Sequence, residues 1–348
     1  MSRAVPLRLS PLLILPLLLA ACSPPQAYYD KFLDFGTIVE LTVYTDDPAL
    51  ADQAFAAAHQ DFEYMHGAWH AWHPGPLGRI NTLIPTGEWF SGSPTMVQMI
   101  LRSQQLSRES GGLFNPAIGA LLQAWGFQSD DPPTGPPPPQ ARIDEILASH
   151  PSMDDLEVDG IRIRSRNPAI RLDFGAFAKG YGIDRVSERF QAMGIENAIV
   201  NAGGDLRAWG RHGDRPWRIG IRHPQRPGVI ASIEPRGDES IFTSGDYERY
   251  FEWEGQRYHH ILDPRTGYPA RGLTSVTVIY REAATADAAA TALMIAGPEG
   301  WPRVARDMGI DQVMVIESSG RVCMTPAMVE RVHFEVEPAP EVVIQPLP

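Results

Sequence analysis

Near the middle of the chain, residues 172 to 184 read Leu-Asp-Phe-Gly-Ala-Phe-Ala-Lys-Gly-Tyr-Gly-Ile-Asp. The apolar run that leads into them, Ala169 to Leu172, predicts a strand, and the spacing that follows predicts a helix ending at Gly194. At such a junction a helix N-terminus offers free N–H groups and a positive dipole end to a phosphate or a metal ion. We therefore expect this segment to form part of a binding site.

One side chain in this segment sharpens that expectation. Of the 30 lysines and arginines in the chain, only Lys31 and Lys179 are lysines. Because lysine carries a compact ammonium and arginine a broad planar fork, Lys179 indicates a requirement for a point charge. The alternative is a solvated lysine beside a glycine-rich turn.

Helical and strand patterns are mixed along the chain without regular alternation, which predicts an α+β fold of mixed or antiparallel sheets with packed helices. Alternating apolar residues predict strands at Phe35 to Tyr44 and Ser275 to Tyr280, and an Asp-Gly turn predicts a hairpin at Leu156 to Ile163. Helical spacing predicts helices at residues 48–66 and at Ala284 to Ala296.

The N-terminus reads as a secretory signal over residues 1–21, with a basic start and an apolar core. Its end, Leu19-Ala20-Ala21-Cys22, resembles a lipobox, in which Cys22 is lipidated and becomes the mature N-terminus. We expect a bacterial lipoprotein anchored on the periplasmic side of the cell membrane, with residues 22–34 as a tether. An ordinary cleaved signal is the alternative.

Two further segments read as irregular. The proline-rich residues 130–140 predict a surface excursion, and residues 331–348 predict a loose tail. The remaining residues, 35–330, are expected to form the functional domain.

The charge balance argues against nucleic-acid binding. The net charge is −12, and removal of Arg3 and Arg8 with the signal leaves 28 basic and 42 acidic residues, a charge of −14. No basic run offsets this excess. With Cys22 lipidated, Cys323 has no cysteine partner for an intrachain disulfide.

Candidate metal ligands lie on the alanine-rich helix. Asp287 and Thr291 are four residues apart and therefore share one face. A carboxylate and a hydroxyl suit a hard cation such as Mg²⁺, and a carbonyl from the turn in residues 172–184 is a plausible third ligand. The alternative reading is a helix-dipole partner and a surface threonine. Three histidines, His66, His70 and His73, suggest zinc at first, but no cysteine or acidic partner is near them in the sequence.

Three other polar segments accompany these residues. They are Asn201-Ala202-Gly203-Gly204-Asp205, Thr243-Ser244-Gly245-Asp246-Tyr247, and His259 to Pro269 with its Asp-Pro-Arg-Thr-Gly turn. Paired glycines at a strand end can cradle an anion, but each segment alone is also compatible with an ordinary polar loop.

Together with residues 173–181 and 284–292, these segments resemble, in order and spacing, the ApbE family of periplasmic FAD:protein FMN transferases. The resemblance implies an α+β fold of the T-fold type, FAD as substrate and Mg²⁺ as the required ion. It also implies transfer of FMN from FAD to a threonine or serine hydroxyl of a target protein, with release of AMP. Typical targets are flavin-carrying subunits of membrane redox complexes, such as the sodium-pumping NADH:quinone oxidoreductase.

The resemblance further assigns site residues by position. Mg²⁺ would be held by the Ala176 carbonyl, Asp287 and Thr291. FAD would contact a set of residues spread along the chain: Phe35, Trp72, Leu113, Phe114, Asn115, Asp173, Lys179 and Ile261. The chain departs from the family where Asn115 replaces the usual aspartate, where Phe35 replaces a common methionine, and in the loop around Trp72.

Transfer to a hydroxyl requires a base, and His260, supported by Asp246, is our candidate. Two other functions are compatible with the same residues. One is Mg²⁺-dependent hydrolysis of FAD to FMN and AMP, and the other is a lipid-tethered flavin-binding protein without catalysis.

Overall fold

The computed structural model describes residues 24–129, 131 and 133–348. The predicted signal peptide, Cys22 and two residues of the proline-rich segment lie outside the described residues. Within the described chain, no helix is both long enough and apolar enough to cross a bilayer.

Most of the strands belong to one sheet. Over the described residues its nine strands follow the spatial order β1-β2-β6-β7-β10-β13-β14-β15-β17, and all neighbours are antiparallel except the parallel pair β15–β17. The strands are β1 (Gln26–Asp34), β2 (Thr37–Thr45), β3 (Phe90–Ser91), β4 (Leu156–Asp159), β5 (Arg162–Ser165), β6 (Ala198–Ala202), β7 (Asp205–Trp209), β8 (Ile219–Arg222), β9 (Val229–Ile233), β10 (Glu239–Gly245), β11 (Tyr250–Trp253), β12 (Gln256–His259), β13 (Leu273–Tyr280), β14 (Gln312–Glu317), β15 (Val322–Met324), β16 (Val332–Phe334) and β17 (Val342–Ile344).

Helices and small sheets complete the fold. The helices are α1 (Pro48–Trp69), α2 (Pro76–Leu83), α3 (Pro94–Glu109), α4 (Gly119–Ala124), α5 (Gln140–Ala148), α6 (Ala178–Ala192), α7 (Ala283–Asp307) and α8 (Pro326–Val329). The small sheets have the orders β16-β9-β8, β3-β5-β4 and β11-β12. This mixture confirms the predicted α+β class.

Both faces of the large sheet are covered, which explains why its central strands are apolar throughout. Along β14, Val313 and Val315 face a core shared with the helices α1, α6 and α7, whereas Met314 and Ile316 face a second core beneath the sheet of β8, β9 and β16. The period of two expected for a strand therefore distributes its side chains between two apolar layers. The helix-covered face is the one that carries the candidate site.

The alanine-rich helix is found as predicted up to residue 296. Gly297 interrupts α7 with φ 73° and ψ −176°, and a second helical segment continues from there to Asp307. Every residue of α7 from Ala283 to Ile295 is buried. Its small side chains allow the helix to pack closely against α6, β10 and β13.

Three sequence expectations are wrong. The predicted strand Ala169 to Leu172 forms only an isolated bridge between Arg171 and Ile118. The reason is that the Asn81 side chain takes both backbone groups of Leu172, accepting from its N–H at 2.7 Å and donating to its carbonyl at 2.9 Å. A side chain 91 residues away thus takes the place of a strand on one side of the segment, while on the other side Arg171 bonds to the backbone of residues 117 and 119.

The other two errors concern the chain ends. Most of the predicted tether is the strand β1, which pairs with β2 along its full length. The predicted loose tail contains β16 and β17, which join β9 and β15 respectively. These pairings depend on partners distant in sequence, so local polarity and proline content did not reveal them.

Candidate active site at the junction of helices α6 and α7

The segment before α6 is organised by Asp173. Its Oδ1 accepts a 2.8 Å hydrogen bond from the N–H of Gly175, and its Oδ2 accepts one of 2.7 Å from the Gln128 amide. This carboxylate shapes an Asx turn, after which α6 begins without a side-chain cap. The N–H of Ala178 nevertheless donates to the carbonyl of Phe174 at 2.7 Å and that of Gly180 to Asp287, so two of the N–H groups expected to be free at this helix start are engaged. Half-buried Ala176 lies in the turn just before them.

Lys179, in the first turn of α6, forms an ion pair with Asp205 at the start of β7. The same carboxylate accepts a 2.9 Å hydrogen bond from the N–H of Thr243 in β10, which fixes its position. Burial would lower the pKa of Lys179, but the attraction of Asp205 and then of Asp287 outweighs it and raises that pKa. Lys179 is thus a charged ammonium directed into an acidic environment.

Asp287 lies on α7, opposite the start of α6. Its Oδ2 accepts a 2.9 Å hydrogen bond from the N–H of Gly180, and the residue is only 6% exposed. Burial raises the pKa of Asp287; Lys179 opposes this effect, whereas the nearby charge of Asp205 adds to it. Thr291, one turn later on the same face, has its hydroxyl 3.4 Å from that of Ser244.

This arrangement fits a divalent cation. The raised pKa means that the surroundings of Asp287 supply less positive charge than a buried carboxylate needs, and a bound cation would supply it. The predicted ligands are oxygens, namely one carboxylate, the Thr291 hydroxyl and the Ala176 carbonyl, which is the chemistry that Mg²⁺ prefers. Among the described residues, no cluster of three or more His, Cys, Asp and Glu side chains could hold a metal ion.

Of the predicted aromatic contacts for FAD, Phe35 lies next to α6. Phe35 adopts φ 49°, which is uncommon for a residue with a side chain, and its ring stacks on Trp69 at 6.0 Å. A side chain at Gly182 of α6 would lie 2.9 Å from the Phe35 ring. Half-buried Trp72 keeps its indole N–H buried without a hydrogen-bond partner in the described part of the chain. A buried donor of this kind is costly unless something accepts from it.

The side chains of the Leu113 to Asn115 turn, which were predicted to contact FAD, make contacts within the protein. Leu113 is buried and Phe114 is 1% exposed, with its ring packed against Phe177 at 5.9 Å. The Asn115 amide donates to the carbonyl of Pro151 at 2.8 Å, and its Oδ1 accepts from the N–H of Ala117 at 3.1 Å. An aspartate could not make the first of these bonds, which gives a structural reason for asparagine here.

His260 has a different partner from the one expected. Its Nδ1 lies 3.2 Å from the carbonyl of Arg249, so Nδ1 carries the proton and Nε2 carries the lone pair. Burial, and then the positive charge of Arg249, lower the pKa of His260, which is therefore neutral at pH 7. Asp246 instead lies 3.8 Å from Arg257, and its Oδ1 has no hydrogen-bond partner in the described chain.

Two other groups singled out in the sequence are Ile261 and the three histidines between residues 66 and 73. Ile261 is buried, and its carbonyl accepts from the N–H of Ala270 at 2.9 Å. His66 pairs with Asp34 at 3.2 Å, while the rings of His70 and His73 stack at 3.8 Å. These histidines make aromatic and acidic contacts within the described chain.

Sequence reasoning missed three residues at this junction. Asp184 and Arg207 form a buried ion pair beside α7, and burial raises the pKa of Glu248, which lies near Lys179. Asp184 was visible as the last residue of the 172–184 segment, but no sequence signal pointed to Arg207. A role can be assigned to an arginine on a strand only when the structure shows which group it pairs with.

Comparison with known proteins adds a second line of evidence. Residues 35–314 match the ApbE family. A protein of Rhodobacter capsulatus called FAD:protein FMN transferase is 41% identical over 311 residues, which are 89% of this chain and 59% of that protein. One of Vibrio cholerae with the same name is 32% identical, over 87% of this chain and 91% of its own length.

Solved structures show the same similarity. The ApbE protein from Thermotoga maritima superimposes with a TM-score of 0.81 and 31% identity, covering 90% of this chain and all of that one. The flavinyl transferase ApbE of Pseudomonas stutzeri, in its apo form, gives a TM-score of 0.78 and 29% identity, covering 88% of this chain and 96% of that one.

Proposed function

Because this chain belongs to the ApbE family of flavin transferases, we propose that it moves FMN from FAD to a threonine or serine hydroxyl of a target protein and releases AMP. The observation that carries the proposal is the meeting of Lys179, Asp205 and Asp287 at the junction of α6, β7 and α7. A fixed ammonium beside a buried carboxylate that lacks positive charge is suited to a pyrophosphate accompanied by a cation.

The reaction is a phosphoryl transfer. The acceptor oxygen forms a bond to the phosphorus on the FMN side of the pyrophosphate, the bond from that phosphorus to the bridging oxygen breaks, and AMP leaves with that oxygen. Catalysis of such a step is mainly positioning and charge stabilisation. Lys179 places one positive charge at the pyrophosphate, and the positive end of the α6 dipole adds to it.

We propose that Mg²⁺ is the cation. Asp287, Thr291 and the Ala176 carbonyl would hold it, and when bound it would neutralise charge on the pyrophosphate. Water would have little access to this side of the site, since every residue of α7 around Asp287 is buried and most of them are alanines. Few water molecules would therefore compete with the substrate oxygens for the cation.

His260 is our candidate base. Because its Nδ1–H is committed to the Arg249 carbonyl, its Nε2 lone pair is free to accept the proton of the acceptor hydroxyl. The buried indole N–H of Trp72 and the ring of Phe35 are proposed to contact the flavin, whose ring system carries several hydrogen-bond acceptors.

Lipid anchoring at Cys22 on the periplasmic side is also a proposal. The strand β1 begins at Gln26, so only a few residues would separate the lipid from the folded sheet. A flavin-acceptor subunit of a membrane redox complex, such as the sodium-pumping NADH:quinone oxidoreductase, would fit such a position. Labelling with a radioactive fatty acid tests the anchor, since the Cys22→Ser variant should take up no label.

The activity itself is tested by following AMP release from FAD and Mg²⁺ with and without a purified flavin-acceptor domain. A transferase releases AMP in proportion to the acceptor added. Release at the same rate without acceptor indicates hydrolysis, and retained FAD with no AMP under either condition indicates a carrier.

A further inference from the structure

The first turn of α7 is capped by another helix. Its own N-cap residue, Glu282, makes no side-chain capping bond. Instead, Asp184 of α6 accepts hydrogen bonds from the N–H groups of Ala283 at 2.9 Å and Ala284 at 2.8 Å. A carboxylate in this position satisfies two otherwise free amides and faces the positive end of the helix dipole.

The capping carboxylate is itself held by Arg207 of β7. Arg207 donates from Nη1 to Asp184 at 2.6 Å, and from Nε and Nη2 to the two oxygens of Asp238, each at 2.7 Å. The two parallel bonds to Asp238 fix the plane of the guanidinium. Since Arg207 is only 5% exposed, water does little to loosen this arrangement.

The strand β7 also holds α6 at a second point. Asp205 precedes Arg207 by two residues, so both side chains leave the same face of the strand. Asp205 pairs with Lys179, and Arg207 pairs with Asp184, one acid and one base on each element. The helix α6 is thereby held on β7 by two ion pairs of opposite polarity, about one and a half turns apart on the helix.

We propose that Asp184 and Arg207 are positioning residues for the cation-binding face of α7. They contact neither FAD nor the metal in the proposed function, on which this inference rests. Asp184 binds the helix one turn before Asp287, so any displacement of that first turn moves the Asp287 carboxylate away from Gly180 and Lys179. Through the cap, the position of β7 therefore determines the position of Asp287, the proposed metal ligand.

The test compares Arg207→Gln with Arg331→Gln. Arg331 is also 5% exposed, and it also forms a bidentate ion pair, with the two carboxylate oxygens of Glu239 at 2.7 and 3.0 Å. Both variants should lower the melting temperature, because each breaks a buried ion pair. Only Arg207→Gln should raise the dissociation constant of Mg²⁺, measured by calorimetry in the presence of FAD, and the expected rise is about tenfold or more.

A second measurement does not depend on the metal. Hydrogen exchange of the Gly180 amide, which reports its bond to Asp287, should be faster in Arg207→Gln than in the wild type and unchanged in Arg331→Gln. Asp184→Asn, which keeps the size of the side chain, should act like Arg207→Gln and replaces it if that variant does not fold.

The inference is overturned if Arg207→Gln and Asp184→Asn leave both the Mg²⁺ constant and the Gly180 exchange unchanged, or if Arg331→Gln alters them equally. If the wild type itself binds no Mg²⁺, the metal in the proposed function is wrong. The exchange comparison then still decides whether Asp184 and Arg207 hold Asp287 in place.

Discussion

The N–H of Gly180 donates a 2.9 Å hydrogen bond to Oδ2 of Asp287, although 107 residues separate the two in sequence. The contact requires glycine, because a Cβ at position 180 would lie 2.8 Å from the Cβ of Asp287 and 2.7 Å from the carbonyl carbon of Ala283. The close approach of α6 and α7 places Lys179 beside Asp287. Neither helix alone forms the site.

The first prediction concerns this approach. Gly180→Ala should destabilise the protein by about 1–3 kcal/mol, because its methyl group would meet the backbone of α7, which cannot move aside easily. Transferase activity should fall by more than the loss of folded protein accounts for, since the displaced helix carries both proposed side-chain ligands of the metal, Asp287 and Thr291. Urea unfolding and AMP release measure the two effects.

Gly67→Ala is the matched control. Gly67 lies in α1, and a Cβ there would meet none of the described residues within 4 Å. This substitution should leave activity unchanged and stabilise the protein by about 0.5–1 kcal/mol, through the better helix propensity of alanine. Equal stability and activity of the Gly180→Ala and Gly67→Ala variants would show that the helices are not held at close contact.

The second prediction concerns the charge of Lys179. Lys179→Met should destabilise the protein by about 2 kcal/mol, because it leaves the carboxylates of Asp205 and Asp287 without their cation. The value is below that of a fully buried pair, since the Lys179 side chain is 32% exposed. AMP release should fall about a hundredfold or more, as expected for a lost electrostatic contact to the reacting phosphates.

Two further variants separate the effects of Lys179. Adding Asp205→Asn to Lys179→Met should recover part of the lost stability but no activity. Compared with Lys179→Met, the Lys179→Arg variant should regain a larger share of the lost stability than of the lost activity, because the broad guanidinium does not present a point charge. A double variant that is less stable than the sum of its single changes would exclude the pairing with Asp205 as the source.

The third prediction concerns His260 as a base. Because burial lowers its pKa below the ordinary 6.5, wild-type activity should persist well below that pH. His260→Gln should lower kcat about 10²- to 10⁴-fold and remove the remaining acid-side dependence. An unchanged rate and pH profile in this variant would show that another group accepts the proton.

The fourth prediction concerns stability against pH. His259 uses both ring nitrogens, with Nε2 2.8 Å from the Ala270 carbonyl and Nδ1 accepting from the N–H of Ile261 at 3.3 Å. Burial lowers the pKa of His259 in the folded protein below the 6.5 of the unfolded chain. The unfolded state therefore binds more protons as the pH falls below 6.5, and stability is lost in that range.

The loss attributable to His259 is at most about 1.4 kcal/mol per pH unit. His259→Gln, which can donate and accept in the same places, should show a smaller decrease in unfolding free energy between pH 7 and pH 5 than the wild type. Identical pH slopes for the two proteins would contradict this account.

Local signals predicted the regular elements well. The helical spacing over residues 48–66 indicated α1, which begins at Pro48 with Asp47 accepting hydrogen bonds from the N–H groups of Ala49 and Leu50. The alternation that indicated β2 and the alanine-rich spacing that indicated α7 are both confirmed. In each case the signal lies within one element, so no distant partner is needed to interpret it.

Distant partners explain what the sequence did not reveal. The apolar run ending at Leu172 looked like a strand, but its backbone groups bind the Asn81 side chain. Asp287 was recognised as a candidate ligand, whereas the Asp184 cap and its Arg207 support were not. Those contacts join α6, α7 and β7. The arrangement of these three elements in space depends on the whole sheet, so no single segment of sequence indicates it.

The central claim is that this chain attaches FMN to a protein through the site at α6 and α7. Its most direct test is mass spectrometry of a flavin-acceptor domain incubated with FAD, Mg²⁺ and the enzyme. The wild type and the Arg331→Gln control should add one FMN to a threonine or serine of the acceptor, and Asp287→Ala should add none. Conversion of FAD to FMN and AMP with no adduct, or equal labelling by Asp287→Ala, would contradict the claim.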